Sequence, residues 1–579
     1  MKQLMLGNEA IARGAYEAGV RVSSAYPGTP STEINENMSQ YEEVYSEWAP
    51  NEKVAVEVAL GASVAGARAM SAMKHVGLNV AADPYFTASY TGVNAGLVLV
   101  VADDPGMHSS QNEQDTRMLA AAAHTPVLDP SNSQECKDFM KLAFELSEEY
   151  DTPVVLRVTT RIAHARTIVE LGERVDLPLR EYKKERKFVA MPATAIMRHR
   201  YVEEREKRLS EAANTMEINR IEWADKEIGV ITSGAAYNYV KDALPNASVL
   251  KLGLAYPLPE ALIRDFAKEV KTLYVIEDME PFYENAIKAM GIPCSGKDKT
   301  GIQGELFSRK IAAKFAGAPE PGPMQTPDIP IRPPVLCPGC PHRGLFYVLS
   351  KRKLTVCSDI GCYTLGALPP LNAVDTCVCM GASVSMAHGM EKALGKESAK
   401  KTVAVIGDST FTHSGITGLL NMVYNSSIGT LIIADNDITG MTGHQNNPTN
   451  GRDIHGNPAP KLDLEAFCKA MGIKHVVVVD PFDLKELERV VKEETSRDEL
   501  SVIISRRPCA LIVKQPGIPY FSDPELCRDC GMCLKIGCPA IKKVEGGVFV
   551  DATLCVGCGL CAKVCPFGAL GPVKKGEAI

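Results

Sequence analysis

The sequence predicts an α/β chain of doubly wound parallel-sheet domains closed by a small cysteine-rich module. Three observations carry that prediction. Apolar, β-branched runs such as Leu97-Val-Leu-Val-Val-Ala102 and Val403-Ala-Val-Ile406 have the continuous character of strands buried on both faces of a parallel sheet. Helical stretches separate such runs at the length of strand–helix–strand units, and Asn436 falls 28 residues after Asp408 at the ends of two of them. Eight of the eighteen cysteines crowd between Cys527 and Cys565.

A chain of 579 residues should hold several domains with large cores. The net charge of -7 is mild and argues against a nucleic-acid stripe or an acidic tail. Asn8 and Glu9 interrupt the N-terminus before a signal-peptide core can form, and no run approaches the roughly 18 apolar residues of a membrane span. A soluble, cytoplasmic protein is expected. In a reducing cytosol its cysteines are ligands rather than disulfides.

In chain order, residues 8–18 read as a helix ended by Gly19, and residues 20–26 as a strand. The turn Pro27-Gly28-Thr29-Pro30-Ser31-Thr32-Glu33 opens another helix. It is either a capped loop or a place where Thr29 faces a substrate at a helix N-terminus. Glu57 precedes a helix rich in small residues over 58–69, where the helix dipole favours a carboxylate; Glu52, in a polar loop after Pro50, is its rival. The strand at 97–102 ends in Asp103-Asp104-Pro105-Gly106, and the polar stretch up to Arg117 would line a site. Strands at 126–128 and 153–157 complete a domain over 1–180. A charged connector follows at 181–225, helical at 201–209. A second α/β domain over 226–318 has strands at 228–232, 248–252 and 272–276 and no ligand constellation. Residues 319–334, with seven prolines, form a linker to a domain over 335–515, and the cysteine module occupies 516–579.

The domain over 335–515 carries Gly407-Asp408-Ser409 and, after the next strand, Asp435-Asn436-Asp437-Ile438-Thr439-Gly440. Both polar ends fall on one carboxyl edge of a parallel sheet, where ligands bind. Gly407 admits a diphosphate to the backbone, and Asp408, Asn436 and the Ile438 carbonyl supply oxygens for Mg²⁺, with Ser409, Thr439 and Gly440 beside them. The pattern resembles the thiamine diphosphate (ThDP) signature, with Ser409 where glycine is usual. Gly381-Ala-Ser-Val384 also repeats Gly61-Ala-Ser-Val64, as a duplicated α/β unit would.

In the last module, Cys527-x₂-Cys530-x₂-Cys533-x₄-Cys538-Pro539 precedes Cys555-x₂-Cys558-x₂-Cys561-x₃-Cys565-Pro566. Three thiolates of one half and the last of the other embrace each cubane. Cys565 therefore joins Cys527, Cys530 and Cys533, while Cys538 joins Cys555, Cys558 and Cys561, giving two [4Fe–4S] clusters. Zinc would use pairs of Cys-x₂-Cys. Cys337-Pro-Gly-Cys340-Pro-His342 is open to three readings: a zinc half-site, a cluster half-site or a tight turn. Cys136, Cys294 and Cys468 read as buried small hydrophobes.

Together these motifs resemble the ferredoxin-dependent 2-oxoacid oxidoreductases over nearly the whole chain. The resemblance implies pyrimidine and diphosphate domains with ThDP between them, a transketolase-C-like middle domain and a bacterial-type 2[4Fe–4S] ferredoxin domain. It implies Glu57 as the acid that activates the aminopyrimidine, Asp408, Asn436 and the Ile438 carbonyl on Mg²⁺, and Thr29 near the substrate. Relatives with a cluster beside ThDP use Cys-x₂-Cys, Gly-Cys and Pro-Cys, matching Cys337, Cys340, Cys362 and Cys509 as a third cluster. The implied reaction is oxidative decarboxylation of a 2-oxoacid, with electrons leaving singly through the clusters to ferredoxin and coenzyme A taking the acyl group. Pyruvate-type relatives place an arginine after the strand that here ends in Asp103-Asp104. The difference favours aryl pyruvates such as indolepyruvate, with His108, His413 and His444 as pocket candidates. A smaller gamma-type partner in an α2β2 assembly is expected. The rival readings are the same chemistry on pyruvate or 2-oxoglutarate, a non-oxidative ThDP lyase, and an electron-transfer subunit with an inactive ThDP site.

Overall fold

The apolar runs of the first 180 residues pair as a sheet whose centre is the Leu97–Asp103 strand, buried at every position. The computed structural model describes residues 1–320, 322, 333–513 and 517–573. They fall into two compact units, Met1–Pro327 and Asp328–Ile579. In the first unit seven strands lie in the order Leu254–Tyr256, Val127–Leu128, Val154–Thr159, Leu97–Asp103, Ala69–Lys74, Val22–Ala25 and Tyr45–Trp48. All pairings are parallel except that of the edge strand Leu254–Tyr256. Alternation along the central strand feeds two cores. Val98 and Val100 pack with Ile11, Met140 and Phe144, whereas Leu97, Leu99 and Val101 pack with Val56 and Tyr85.

Three local departures have physical causes. The small-residue helix spans Glu52–Val64 rather than 58–69, because the Asn51 side chain accepts from Val54 N at 2.9 Å and caps the helix six residues earlier. Glu57 is therefore mid-helix. The connector helix is Pro192–Ala213, opened by a proline whose missing N–H costs nothing there. The Gly61-Ala-Ser-Val64 echo is not structural: it closes one helix, whereas Gly381 precedes the start of Ala382–Leu394.

The middle domain forms a four-stranded sheet, Thr272–Val275, Asp225–Thr232, Ala247–Lys251 and Arg220–Glu222, and lends Leu254–Tyr256 to the first sheet. Buried ion pairs join the two domains. Arg117 reaches Asp115 at 2.6 Å and Glu277 at 2.8 Å, while Arg157 reaches Asp103 at 2.6 Å and Asp129 at 3.0 Å. Ser233 of the middle domain donates to Asp129 at 2.7 Å.

In the second unit six parallel strands lie in the order Thr376–Cys377, Thr355–Ser358, Thr402–Gly407, Thr430–Asp435, Ser501–Arg506 and His475–Val479. The cysteine module adds a hairpin, Ile541–Val544 with Gly547–Val550, and the antiparallel pair Tyr520–Ser522 with Leu570–Pro572. The expected proline linker lies largely outside the described residues, as does the 515/516 boundary. Among the described residues no helix is long and apolar enough to cross a membrane.

Candidate active site

Gly407 pairs with Ala434 in the parallel register, so the loops that follow both strands leave the same edge. The helical segments Asp408–Thr410, Phe411–Gly415 and Ile416–Tyr424 begin there, the middle one a π turn of the kind found at functional sites. Gly407 is needed for close approach: a Cβ on it would lie 2.6 Å from the Tyr363 ring.

The three expected Mg²⁺ ligands converge. The tip of the Asn436 amide lies 2.9 Å from the Ile438 carbonyl oxygen and 3.0 Å from Asp408 Oδ1. Turned one way, its N–H₂ donates to both. Turned the other way, three oxygens meet. Octahedral Mg²⁺ with bonds of about 2.1 Å sets neighbouring ligand oxygens about 3.0 Å apart, so these residues fit that cation. Asp408 is 2% exposed. Burial and the neighbouring Asp435 push its carboxyl up to about 7. A bound dication would reverse that push. Thr449, which no sequence signal marked, donates to Asp408 Oδ2 at 3.0 Å. Ser409, in the place of the usual glycine, accepts from Thr439 Oγ1 at 2.9 Å and ties the two loops together.

Cys337, Cys340, Cys362 and Cys509 are electrostatic neighbours in the same unit. Burial, with Cys362 and Cys337 adding to it, raises Cys340 to about 12; burial with Cys509 and Cys337 raises Cys362 to about 11. They adjoin the cation site. A Cβ on Gly440 would lie 3.4 Å from Cys362 Sγ, and Cys509 N donates to the Asn436 carbonyl at 2.9 Å.

The module's cysteines divide as their spacing predicts. Cys527, Cys530, Cys533 and Cys565 line one cavity, and Cys538, Cys555, Cys558 and Cys561 line another. The additional residue before Cys538 is taken up in the turn Met532–Ile536, closed by Gly537 at φ 66°. Among the described residues no three His, Cys, Asp or Glu side chains form a single-ion site. Pro338, Gly339 and Arg343 wall the second cavity, and Arg343 donates to the carbonyls of Cys337 at 3.1 Å and Ile536 at 3.0 Å.

In the first unit the two rival glutamates have opposite surroundings. Glu57 is exposed and paired with Lys53. Glu52 is 5% exposed and lies against Gly77, where a Cβ would come within 2.6 Å of its Oε1. Thr29 is half-buried, its carbonyl 3.3 Å from Ser109 Oγ. Arg117 is wholly buried in its ion pairs and faces no substrate loop. The three histidines divide between the two units. His108 pairs with Glu305 at 3.0 Å in the first unit, while in the second His413 is buried beside Ser414 and His444 is exposed.

A doubly wound sheet with this Asp–Asn edge, followed by two cysteine quartets, defines a ThDP-binding protein joined to an iron–sulfur domain. The family model described as thiamine pyrophosphate enzyme, C-terminal TPP binding domain, matches residues 359–505. The pyruvate flavodoxin/ferredoxin oxidoreductase thiamine diphosphate-binding model matches residues 13–226, and a 4Fe-4S binding domain matches residues 548–571. The chain is 43% identical to the indolepyruvate oxidoreductase subunit IorA of Pyrococcus horikoshii, over 100% of this chain and 98% of that one. It is 41% identical to the IorA subunit of Methanothermobacter thermautotrophicus, over 99% and 98%. The 2-oxoglutarate synthase subunit KorA of Methanothermobacter marburgensis is 27% identical over 49% of this chain and 91% of its own length. The chain belongs to the indolepyruvate oxidoreductase subunit IorA family.

Proposed function

We propose that the chain is the ThDP- and cluster-bearing subunit of an enzyme that oxidatively decarboxylates aryl pyruvates, indolepyruvate foremost. The reaction converts the 2-oxoacid, coenzyme A and two oxidised ferredoxins to aryl-acetyl-CoA, CO₂, two reduced ferredoxins and a proton. The observation that carries this reading is the presence of the Asp408–Asn436–Ile438 oxygen triad and two cysteine quartets in one unit. A lyase has no electrons to export, and an inactive site would not keep three oxygens at cation spacing.

When bound, ThDP supplies the electron sink for decarboxylation. Asp408, Asn436 and the Ile438 carbonyl would hold the Mg²⁺ that accompanies the diphosphate. Glu52, rather than Glu57, would be the carboxylate that acts on the aminopyrimidine ring. A buried carboxylate acts strongly on one partner, whereas an exposed, lysine-paired one is screened. The two quartets of the module each hold a [4Fe–4S] cluster, and Cys337, Cys340, Cys362 and Cys509 hold a third beside the cation site. Pro338 and Gly339 of the Cys337–Cys340 loop wall the cavity of Cys538, Cys555, Cys558 and Cys561, so a cluster held there would be the nearer acceptor than one on Cys527, Cys530, Cys533 and Cys565. A smaller gamma-type subunit completes a cytoplasmic α2β2 enzyme.

The test is anaerobic viologen or ferredoxin reduction by the chain with its companion subunit, given coenzyme A and indolepyruvate, pyruvate or 2-oxoglutarate. Reduction with indolepyruvate in preference to the others is expected. Preference for another 2-oxoacid overturns the substrate. No reduction by protein loaded with clusters and ThDP overturns the activity. Glu52→Gln should lower turnover by about 100-fold or more, as expected for loss of a positioned proton-transfer group.

A further inference from the structure

No arginine follows the central strand's end at Asp103 before Arg117. Arg117 and Arg157 stand nearest and are buried in their own ion pairs. The neighbouring strand, Ala69–Lys74, ends on the same carboxyl edge with a lysine. The stem of Lys74 runs beside the turn before Thr29: a Cβ on Gly28 would lie 3.5, 3.6 and 3.8 Å from its side-chain carbons. Its ammonium donates to the Ser109 carbonyl at 2.9 Å, and Ser109 Oγ donates back to the Thr29 carbonyl at 3.3 Å. The next residue, His75, lies 3.3 Å from the Asn112 carbonyl, so two consecutive residues pin the polar loop across the strand ends.

The charge of Lys74 is unusually available. Among the described residues it has no carboxylate within 4.0 Å, and only one of its three donors has a partner. Asp104, the nearest obvious counter-ion, accepts instead from Ser109 N at 2.8 Å, Ser110 Oγ at 2.7 Å and Thr160 Oγ1 at 2.7 Å. Burial lowers the Lys74 pKa, opposed by the fields of Asp104 and then Glu52. An ammonium so placed gains most from an arriving anion.

We propose that Lys74 is the residue that binds the carboxylate of the 2-oxoacid substrate, between the Gly28–Thr29 turn and the Ser109 loop. This rests on the oxidoreductase reading above and adds the residue that holds the acid group shared by all 2-oxoacids. Lysine offers a single charged point where arginine would offer a planar fork, so it holds the acid group while leaving its orientation to the rest of the pocket.

The experiment uses the assembled holoenzyme as wild type, Lys74→Met and Lys74→Arg. KM and kcat for indolepyruvate are read together with inhibition by indole-3-acetate and its neutral isostere indole-3-acetamide. The loss of a hydrogen bond to a charged group predicts a KM about 10- to 100-fold higher in Lys74→Met. Inhibition by the acetate should weaken by the same factor, inhibition by the acetamide should change less than about twofold, and Lys74→Arg should recover most of the loss. In the wild type the acetate should bind about tenfold tighter than the acetamide, a comparison that needs no variant. Equal weakening of both inhibitors, an unchanged KM, or a wild type indifferent to the charge would overturn the assignment of Lys74. A wild type inactive on every 2-oxoacid would instead overturn the reading on which it rests.

Discussion

At the end of Leu97–Asp103 and at the end of Thr402–Gly407, a buried apolar strand hands over to a buried aspartate, 0% exposed at Asp103 and 2% at Asp408. The first edge is neutralised from within. Arg157 lies 2.6 Å from Asp103, and Thr116 donates to it as well. At the second edge Arg506 takes up Asp435 at 2.7 Å and Lys461 takes up Asp437 at 3.2 Å, but among the described residues no cation pairs with Asp408, whose Oδ1 and the Ile438 carbonyl oxygen lie within 3.0 Å of the Asn436 tip. An apolar run ending in aspartate thus serves two purposes. Where a distant arginine folds back onto the strand-end aspartate itself, the acid is locked into its domain's core; where none does, as at Asp408, it is left to take a cation from solution.

The sharpest break of this comparison is Arg157→Met, which strands Asp103 and Asp129 without their partner. It should cost about 3–5 kcal/mol, read as a fall in the urea midpoint. A loss under about 1 kcal/mol would mean that the first edge is not held by its ion pairs. Next is Asp408→Asn. Mg²⁺-dependent ThDP affinity should fall about 100-fold, near 3 kcal/mol, in equilibrium dialysis. The cofactor-free variant should melt no lower than the parent, because a desolvated charge with acidic neighbours has been removed. If Asp408→Asn destabilised the empty chain as Arg157→Met does, the two edges would be alike. Thr449→Val removes the hydroxyl that orients Asp408 and should weaken the same affinity about tenfold. Smallest is Ser409→Gly, which loses the bond from Thr439 and should cost about 1 kcal/mol, leaving ThDP affinity within a few-fold.

Which arm of the comparison an aspartate belongs to could not be read locally. The polar stretch up to Arg117 reads as the lining of a site, but Arg117 is buried against Asp115 and against Glu277, 160 residues on, and Arg157 reaches Asp103 from 54 residues away. Glu57 reads as the activating acid from its place before the small-residue run; the Asn51 cap starts that helix at Glu52 and leaves Glu57 exposed beside Lys53. Lys74 carried no motif at all; its place depends on three segments, at Gly28, Ser109 and Asp104, meeting around one strand end.

What the sequence by itself determined are the features governed by spacing along one chain segment. The Asp408–Asn436 edge follows because one strand–helix–strand unit returns the chain to the same side of a parallel sheet. The division of eight cysteines into two quartets follows because each Cys-x₂-Cys-x₂-Cys run places three thiols around one cavity and the last cysteine of the other half closes it. Only the tertiary structure decided which buried acids are neutralised, which glutamate is desolvated and which lysine keeps its charge available. Those properties depend on burial and on partners many residues away, and Coulomb energies change several-fold with the surroundings that the fold creates.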